Sequence, residues 1–358
     1  MVPKRKVTLA PAFLACFILS ACGGGGGGGS SSAAAPPSST INQPTNDAAE
    51  SGLLPDENAG VVEVVDNASS KLRFVDSTAD SGLSVTFGFN VPMANNEVKW
   101  IMPHGIAAGD YDGDGDVDLF IVRGDVGPNL LYRNMGDLVF EEVAELAGVA
   151  YTRSALRNWR HGSPAFADMD GDGHLDLFLC GLDGDPNKIF KNAGDGTFSD
   201  VTQGSGIDQM RAPYTSSPAF GDYDSDGDLD LALGHWGSPR DYTSAPNETE
   251  HLWRNDSTDE KIMFTPVTYG AGISPGILTI ADSRITQRSF DNTFTPTFAD
   301  INDDGHSDLL MAADFNFSQI FINNQDGTFT NVTDPLVIID GNGMGSVSYT
   351  HLTLPTTD

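Results

Sequence analysis

Four stretches of the chain alternate aspartate with small residues about a glycine and then turn apolar. The first is GDYDGDGDVDLF, Gly109 to Phe120, and the others start from Asp168, Asp222 and Asp300. Counted from the first aspartate, positions one, three and five carry side-chain oxygens in every copy. Position six is always glycine (Gly115, Gly173, Gly227, Gly305) and position nine always aspartate (Asp118, Asp176, Asp230, Asp308). Like charges at this density repel one another unless a cation lies among them. Calcium takes about six to eight hard oxygen ligands, and a tight loop supplies them from alternate side chains and a backbone carbonyl at position seven, with glycine at the bend. An EF-hand would need a bidentate glutamate at position twelve and flanking helices. Position twelve is instead Ile121, Leu179, Leu233 or Met311, and the flanking residues alternate as strands do.

The elements around these loops repeat as well. Each loop is entered by a run such as SPAF and left by one such as LDLFL; KIFKN and TFSDVT follow, joined by a turn such as AGDG. Asp195-Gly196 and Asp326-Gly327 suit hairpin turns, because glycine takes positive φ without steric cost. Four strands per unit predict an all-β fold, a β-propeller of four-stranded blades. Four full units are present, and LRFVDSTADSGL, before the first loop, reads as one stray final strand standing alone.

The charge balance fits a cation-binding chain. A formal net charge of −31 rests on 50 acidic against 19 basic residues, which excludes the clustered Lys and Arg that nucleic-acid backbones require. Eighteen of the 50 acids lie inside the four loops, a clustering that solubility alone does not produce.

SPAFADMDGDGHLDLFL and KNAGDGTFSDVT resemble the FG-GAP/VCBS repeats of integrin α-like propellers, and more closely the ASPIC/UnbV, cartilage acidic protein-like group. The resemblance runs from Leu72 to about Gly345. It implies a seven-bladed propeller that serves extracellular recognition and carries calcium, here about four Ca2+ sites. Carried over by position, the implied ligands in the first loop are Asp110, Asp112, Asp114, Asp116 and Asp118, and in the second Asp168, Asp170, Asp172, His174 and Asp176. In the third they are Asp222, Asp224, Asp226, Asp228 and Asp230, and in the fourth Asp300, Asn302, Asp304, His306 and Asp308. The fourth residue of each set contributes its carbonyl. Four blades are too few for a seven-fold ring, and the tail 346–358 loses the repeat pattern and resembles translated adapter sequence, so a truncated chain is expected.

The N-terminus reads as an export signal, residues 1–21: basic MVPKRK, an apolar run, then LSAC. Leu19-Ser20-Ala21-Cys22 resembles a lipobox, which implies lipidation of Cys22 and a bacterial cell-envelope lipoprotein at the outer membrane or cell surface. Residues 22–71, rich in Gly, Ser and Pro, form a flexible tether with a reach on the order of 40 Å, and the blades occupy 72–345. Cys180, alone in LDLFLCG, is expected to be a buried packing residue, which leaves no intramolecular disulfide.

Trp159, Arg160, His161, His235 and Trp236 stand near blade starts, as do Trp100, His104 and Arg157, and could line an axial ligand-binding funnel. The tripeptide Arg123-Gly124-Asp125 is the sequence many integrins bind. No catalytic acid–base set or nucleophile motif is recognisable. The expectation is therefore a non-enzymatic, calcium-binding, surface-anchored propeller that recognises extracellular protein or glycan partners and meets membrane only through its lipid. The alternative is a polysaccharide lyase or hydrolase with the His/Arg/Trp residues at its axis.

Overall fold

The computed structural model describes residues 61–63, 73–86, 105–124, 127–150, 152, 159–182, 184–210, 215–236, 250–273, 293–313, 318–334 and 345–346. Cys22 and the lipobox, Trp100, His104, Asp125, Arg157 and the tail beyond 346 lie outside them. The chain divides into two compact units, Met1–Ser77 and Thr78–Asp358. In the first, β1 (Val61–Glu63) pairs antiparallel with β2 (Arg73–Val75), Val62 opposite Phe74. The strand expected to stand alone thus has a partner, drawn from residues whose composition reads as tether. Isolated strands leave every N–H and C=O unpaired, and pairing removes that cost.

The second unit holds four sheets, each of four antiparallel strands hydrogen-bonded in chain order. Blade one is β3 (Gly105–Gly109), β4 (Asp118–Val122), β5 (Leu130–Asn134) and β6 (Phe140–Glu142), followed by the one-turn helix α1 (Ala144–Ala147). Blade two is β7 (His161–Ala167), β8 (Asp176–Gly181), β9 (Lys188–Asn192) and β10 (Phe198–Asp200). Blade three is β11 (Thr215–Gly221), β12 (Asp230–His235), β13 (Leu252–Asn255) and β14 (Phe264–Pro266). Blade four is β15 (Thr293–Ala299), β16 (Asp308–Ala313), β17 (Gln319–Asn323) and β18 (Phe329–Asn331). The all-β, four-stranded blades expected from the repeat are present, with the acidic loops joining the first and second strand of each.

Their packing follows from the two-residue period of a strand. In β8, Leu177 and Leu179 face Phe120, Val122 and Leu131 of blade one, while Phe178 and Cys180 face Leu231 and Leu233 of blade three. Ala232 in turn faces blade four, against Leu309, Met311 and Phe321. Second strands buried on both faces read as unbroken apolar runs, which is why the sequence turns apolar directly after each loop. Full burial of one such side chain contributes on the order of 2 kcal/mol. Cys180 is buried and free, its thiol pushed well up by burial, as its apolar setting predicts.

Neighbouring blades are also pinned through backbone. Gly82, Gly206 and Gly272 have φ of 76°, 86° and 81°, and a Cβ on any of them would approach the carbonyl oxygens of Phe140, Phe264 and Phe329 to 2.6, 2.1 and 3.0 Å. Only glycine fits there. The residues just before them accept the N–H of those same phenylalanines: Ser81 from Phe140 at 2.7 Å, Ser205 from Phe264 at 2.8 Å and Ala271 from Phe329 at 2.8 Å. The segment before blade one thus locks onto its outer strand, and the trailing turns of blades two and three lock onto the outer strands of blades three and four. Among the described residues no helix is long and apolar enough to cross a membrane.

Candidate metal centre

Each acidic loop folds around its own first aspartate. Asp110 Oδ1 accepts the N–H groups of Gly113 (2.9 Å) and Asp114 (3.1 Å), and its Oδ2 that of Gly115 (3.0 Å). Asp168 takes Gly171 and Gly173, both at 2.9 Å; Asp222 takes Gly227 at 3.1 Å; Asp300 takes Asp304 at 3.0 Å and Gly305 at 2.8 Å. The bend needs left-handed backbone at position six, where Gly115, Gly173, Gly227 and Gly305 have φ between 87° and 101°. Glycine there is a requirement of the turn rather than of any ligand.

The ninth-position aspartates are fully buried and anchor the loop to the blade. Asp176 accepts the N–H of Asn192 at 2.8 Å on one oxygen and of Met169 at 3.0 Å on the other. Asp118, Asp230 and Asp308 repeat both bonds, with Asn134 and Tyr111, Asn255 and Tyr223, and Asn323 and Ile301. Burial pushes Asp118 up to about 6 and Asp176 and Asp230 up to about 7, against the lowering effect of these N–H bonds. Neighbouring carboxylates push in the same direction as burial. A cation beside them would reverse the balance.

Three loops bring positions one, three and nine together. Carboxylate oxygens of Asp110, Asp112 and Asp118, of Asp168, Asp170 and Asp176, and of Asp222, Asp224 and Asp230 lie within 4.8 Å of one another in each set. In these loops Oδ1 of Asp112, Asp170, Asp222 and Asp224 is buried and has no hydrogen-bond partner. Buried carboxylate oxygens without donors are costly, and a calcium ion held by hard oxygens is the group that fits such a set. Position five does not join these sets. Asp114, Asp172, Asp226 and Asp304 each spend an oxygen on the N–H of position seven, at 2.9 to 3.0 Å. The fourth loop departs further: Asn302 Nδ2 donates to Asp304 at 3.0 Å, while its Oδ1 accepts the Asp304 N–H at 3.0 Å. Of the four expected sites, three form acidic triads among the described residues.

The residues considered for an axial ligand site fall into two groups. His161 opens β7 fully buried, neither ring nitrogen has a partner, and burial, with Lys188 nearby, holds its pKa down to about 3. Beside it the buried Arg160 donates its N–H to Asp185 at 2.8 Å, and the Lys188 ammonium lies 4.7 Å from the centre of the Trp159 ring. His235 ends β12 with Nε2 3.0 Å from the Glu250 carbonyl and its ring centre 4.9 Å from that of His251; the half-buried Trp236 follows it. The Arg123 guanidinium is turned onto the Thr86 carbonyl at 2.9 Å.

One set of residues escaped the sequence reading: Asn134, Asn192, Asn255 and Asn323, each ending a third strand. Asn192 Nδ2 donates to Leu175 O of its own loop at 3.0 Å and to Tyr111 O of the preceding loop at 2.8 Å, and its Oδ1 accepts the Gly194 N–H at 2.9 Å. Asn255 and Asn323 reach back to Met169 and Tyr223 in the same way, at 2.8 and 2.7 Å. The signal was legible, since YRN, FKN, WRN and FIN all end in asparagine, 16, 16, 25 and 15 residues beyond the ninth-position aspartate.

Residues 110–179 and 168–233 match the FG-GAP-like repeat, so the chain carries such repeats. Cartilage acidic protein 1 of Mus musculus is 29% identical over 162 residues, 42% of this chain and 24% of that protein; its Homo sapiens counterpart is 28% identical over 174 residues, 45% and 23%. The chain spans about a quarter of the length of these curated relatives. Among solved structures, an Agrocybe aegerita lectin described as recognising non-reducing terminal N-acetylglucosamine aligns with TM-score 0.39 and 20% identity, over 76% of this chain and 60% of that one. The V. cholerae biofilm matrix protein Bap1 aligns with TM-score 0.27 and 14% identity, over 64% and 38%.

Proposed function

We propose that this chain of FG-GAP-like repeats is a calcium-stabilised recognition propeller, displayed at a bacterial cell surface on a lipidated Cys22 and binding extracellular protein or glycan partners. The observation that carries the metal half of this reading is the convergence of buried, partnerless aspartate oxygens in three loops. Bound there, calcium supplies the positive charge that lets the bend carboxylates stay ionised together; Asp110, Asp112 and Asp118 and their counterparts would hold it. Positions one and nine already bind backbone N–H groups, so the loops are preorganised for the ion rather than built by it. The non-enzymatic half rests on the composition of the sites: the clustered groups are acids at bends, and Arg160, His161 and His235 are buried within their blades.

Removal of the ion is the direct test. Three sites at about a hundredfold excess of calcium over Kd contribute on the order of 8 kcal/mol, which corresponds to roughly 15 °C or more in Tm. Melting the full chain in calcium and in chelator should show a drop of that size, and coincident melts would sink the metal reading. The anchor is tested separately by Cys22→Ser, which should move the protein from the membrane fraction to the soluble one.

A further inference from the structure

The four loops share their acids but not their surroundings. At the next-to-last position of the third strand the blades carry Arg133, Lys191, Arg254 and Ile322. Arg133 points its Nε to Met135 Sδ at 3.3 Å and its Nη2 to Glu141 at 3.4 Å; Arg254 points its Nε to Asp256 at 2.8 Å. Both are turned aside from their acidic loops, and Ile322 has no charge. Lys191 alone among these four turns into its loop: its ammonium donates to Asp170 Oδ2, to Asp172 Oδ2 at 2.8 Å and to the Asp259 carbonyl at 3.4 Å. The Asp170 side chain is wholly buried, its other oxygen has no partner, and the residue belongs to the triad with Asp168 and Asp176.

We infer that Lys191 is an internal competitor for the cation in the second loop, so that calcium enters there only by displacing the ammonium from Asp170 and Asp172. The inference rests on the calcium reading above. An ammonium offers one charge and three donors on a flexible stem. It can bridge two carboxylates but leaves Oδ1 of Asp170 without a donor, whereas a divalent ion can take one oxygen from each member of the triad. The second loop is therefore held together without metal, and its calcium affinity is set by the bonds Lys191 must give up. Two hydrogen bonds between charged groups amount to roughly a hundredfold or more in affinity. Arg133 and Arg254 lie within electrostatic reach of Asp112 and Asp224 but spend their hydrogen bonds elsewhere, so the first and third loops have no such bonds to give up and bind more tightly.

The test is a calcium titration of the full chain by isothermal calorimetry, alongside Lys191→Met, Lys191→Gln and Lys191→Arg. The wild-type isotherm should contain a tight class and a weaker class, and Asp170→Asn should remove the weaker one. Lys191→Met should bring that class roughly a hundredfold or more tighter, Lys191→Gln should act in the same direction, and Lys191→Arg, which keeps the charge, should resemble wild type. In chelator Lys191→Met should melt below wild type, because its loop has lost the ammonium that bridged Asp170 and Asp172; in saturating calcium the two should coincide. Calcium binding with isotherms that superimpose for wild type, Lys191→Met and Lys191→Gln overturns the role of Lys191 and leaves the calcium sites standing. Absence of binding heat in every variant overturns both.

Discussion

Blades one and two are built from the same parts and hold them differently. Both carry five-point acidic loops, a buried ninth aspartate and an asparagine at the end of the third strand. In blade two that asparagine reaches across to Tyr111 of blade one, and Lys191 closes over the loop acids. In blade one, Asn134 Nδ2 bonds Val117 at 3.2 Å and Arg133 turns outward. The difference teaches that a sequence repeat sets the local bend, while neighbours set what each copy contributes to stability and how it meets a cation.

The asparagines give the largest contrast. Asn192→Ala removes two donated bonds and one accepted bond and leaves buried carbonyls of two blades unpaired, at a cost of about 3 kcal/mol. Asn134→Ala removes the bonds to Val117 and Gly136 and should cost about 2 kcal/mol. Urea denaturation in calcium measures both, and equal costs would mean that the bond from Asn192 to Tyr111 contributes nothing.

Three of the buried ninth aspartates, Asp118, Asp176 and Asp230, predict an opposite pH response with and without metal. Folded Asp176 keeps its proton until about pH 7, while an unfolded aspartate releases it near its ordinary value of 3.8. Between those values the metal-free folded chain binds more protons than the unfolded one, so its stability falls as pH rises through that window. Asp118, pushed up only to about 6, completes the same loss at lower pH. Calcium requires ionised ligands, so its stabilisation grows over the same range. Melts at pH 5 and pH 8 in chelator should show the higher Tm at pH 5, and the gap between calcium and chelator should be wider at pH 8. A metal-free Tm that rises with pH would contradict the desolvation of these groups.

The blade order and the loop ends were legible in the sequence because both depend on short-range patterns. Alternation at period two, glycine at the bend and aspartate at the ninth position act within about a dozen residues. The asparagine bridges join groups 81, 86 and 100 residues apart, and only the stacking of blades brings them together. The same holds for Lys191, nineteen residues from Asp172, whose role depends on a side-chain direction that the similar Arg133 and Arg254 do not share. Pairing of β2 with β1 was hidden because VVE sits in a segment whose Gly and Ser content outweighs three residues of strand propensity. Convergence at positions one, three and nine, without five, was hidden too, since position five spends its oxygen on a backbone N–H of the loop itself.

The smallest effect lies in the turn between third and fourth strands. Blade two uses Gly194-Asp195-Gly196 there, with Gly196 at φ 85°, and blade four places Gly327 at φ 81°. Blade one has Leu138 at the matching place, 59% exposed and held at φ 59°. A left-handed conformation costs an L residue roughly 1–2 kcal/mol, and glycine escapes that cost while giving up some chain entropy on folding. Leu138→Gly should therefore stabilise the protein by about 1 kcal/mol, and Gly196→Leu should destabilise it by a similar amount, both read from denaturation midpoints. Because Leu138 is largely exposed, little burial offsets the gain. A Leu138→Gly protein no more stable than wild type would mean that the chain entropy given up by glycine cancels the relief of the left-handed backbone, and the two turns would then be equivalent in energy despite their different sequences.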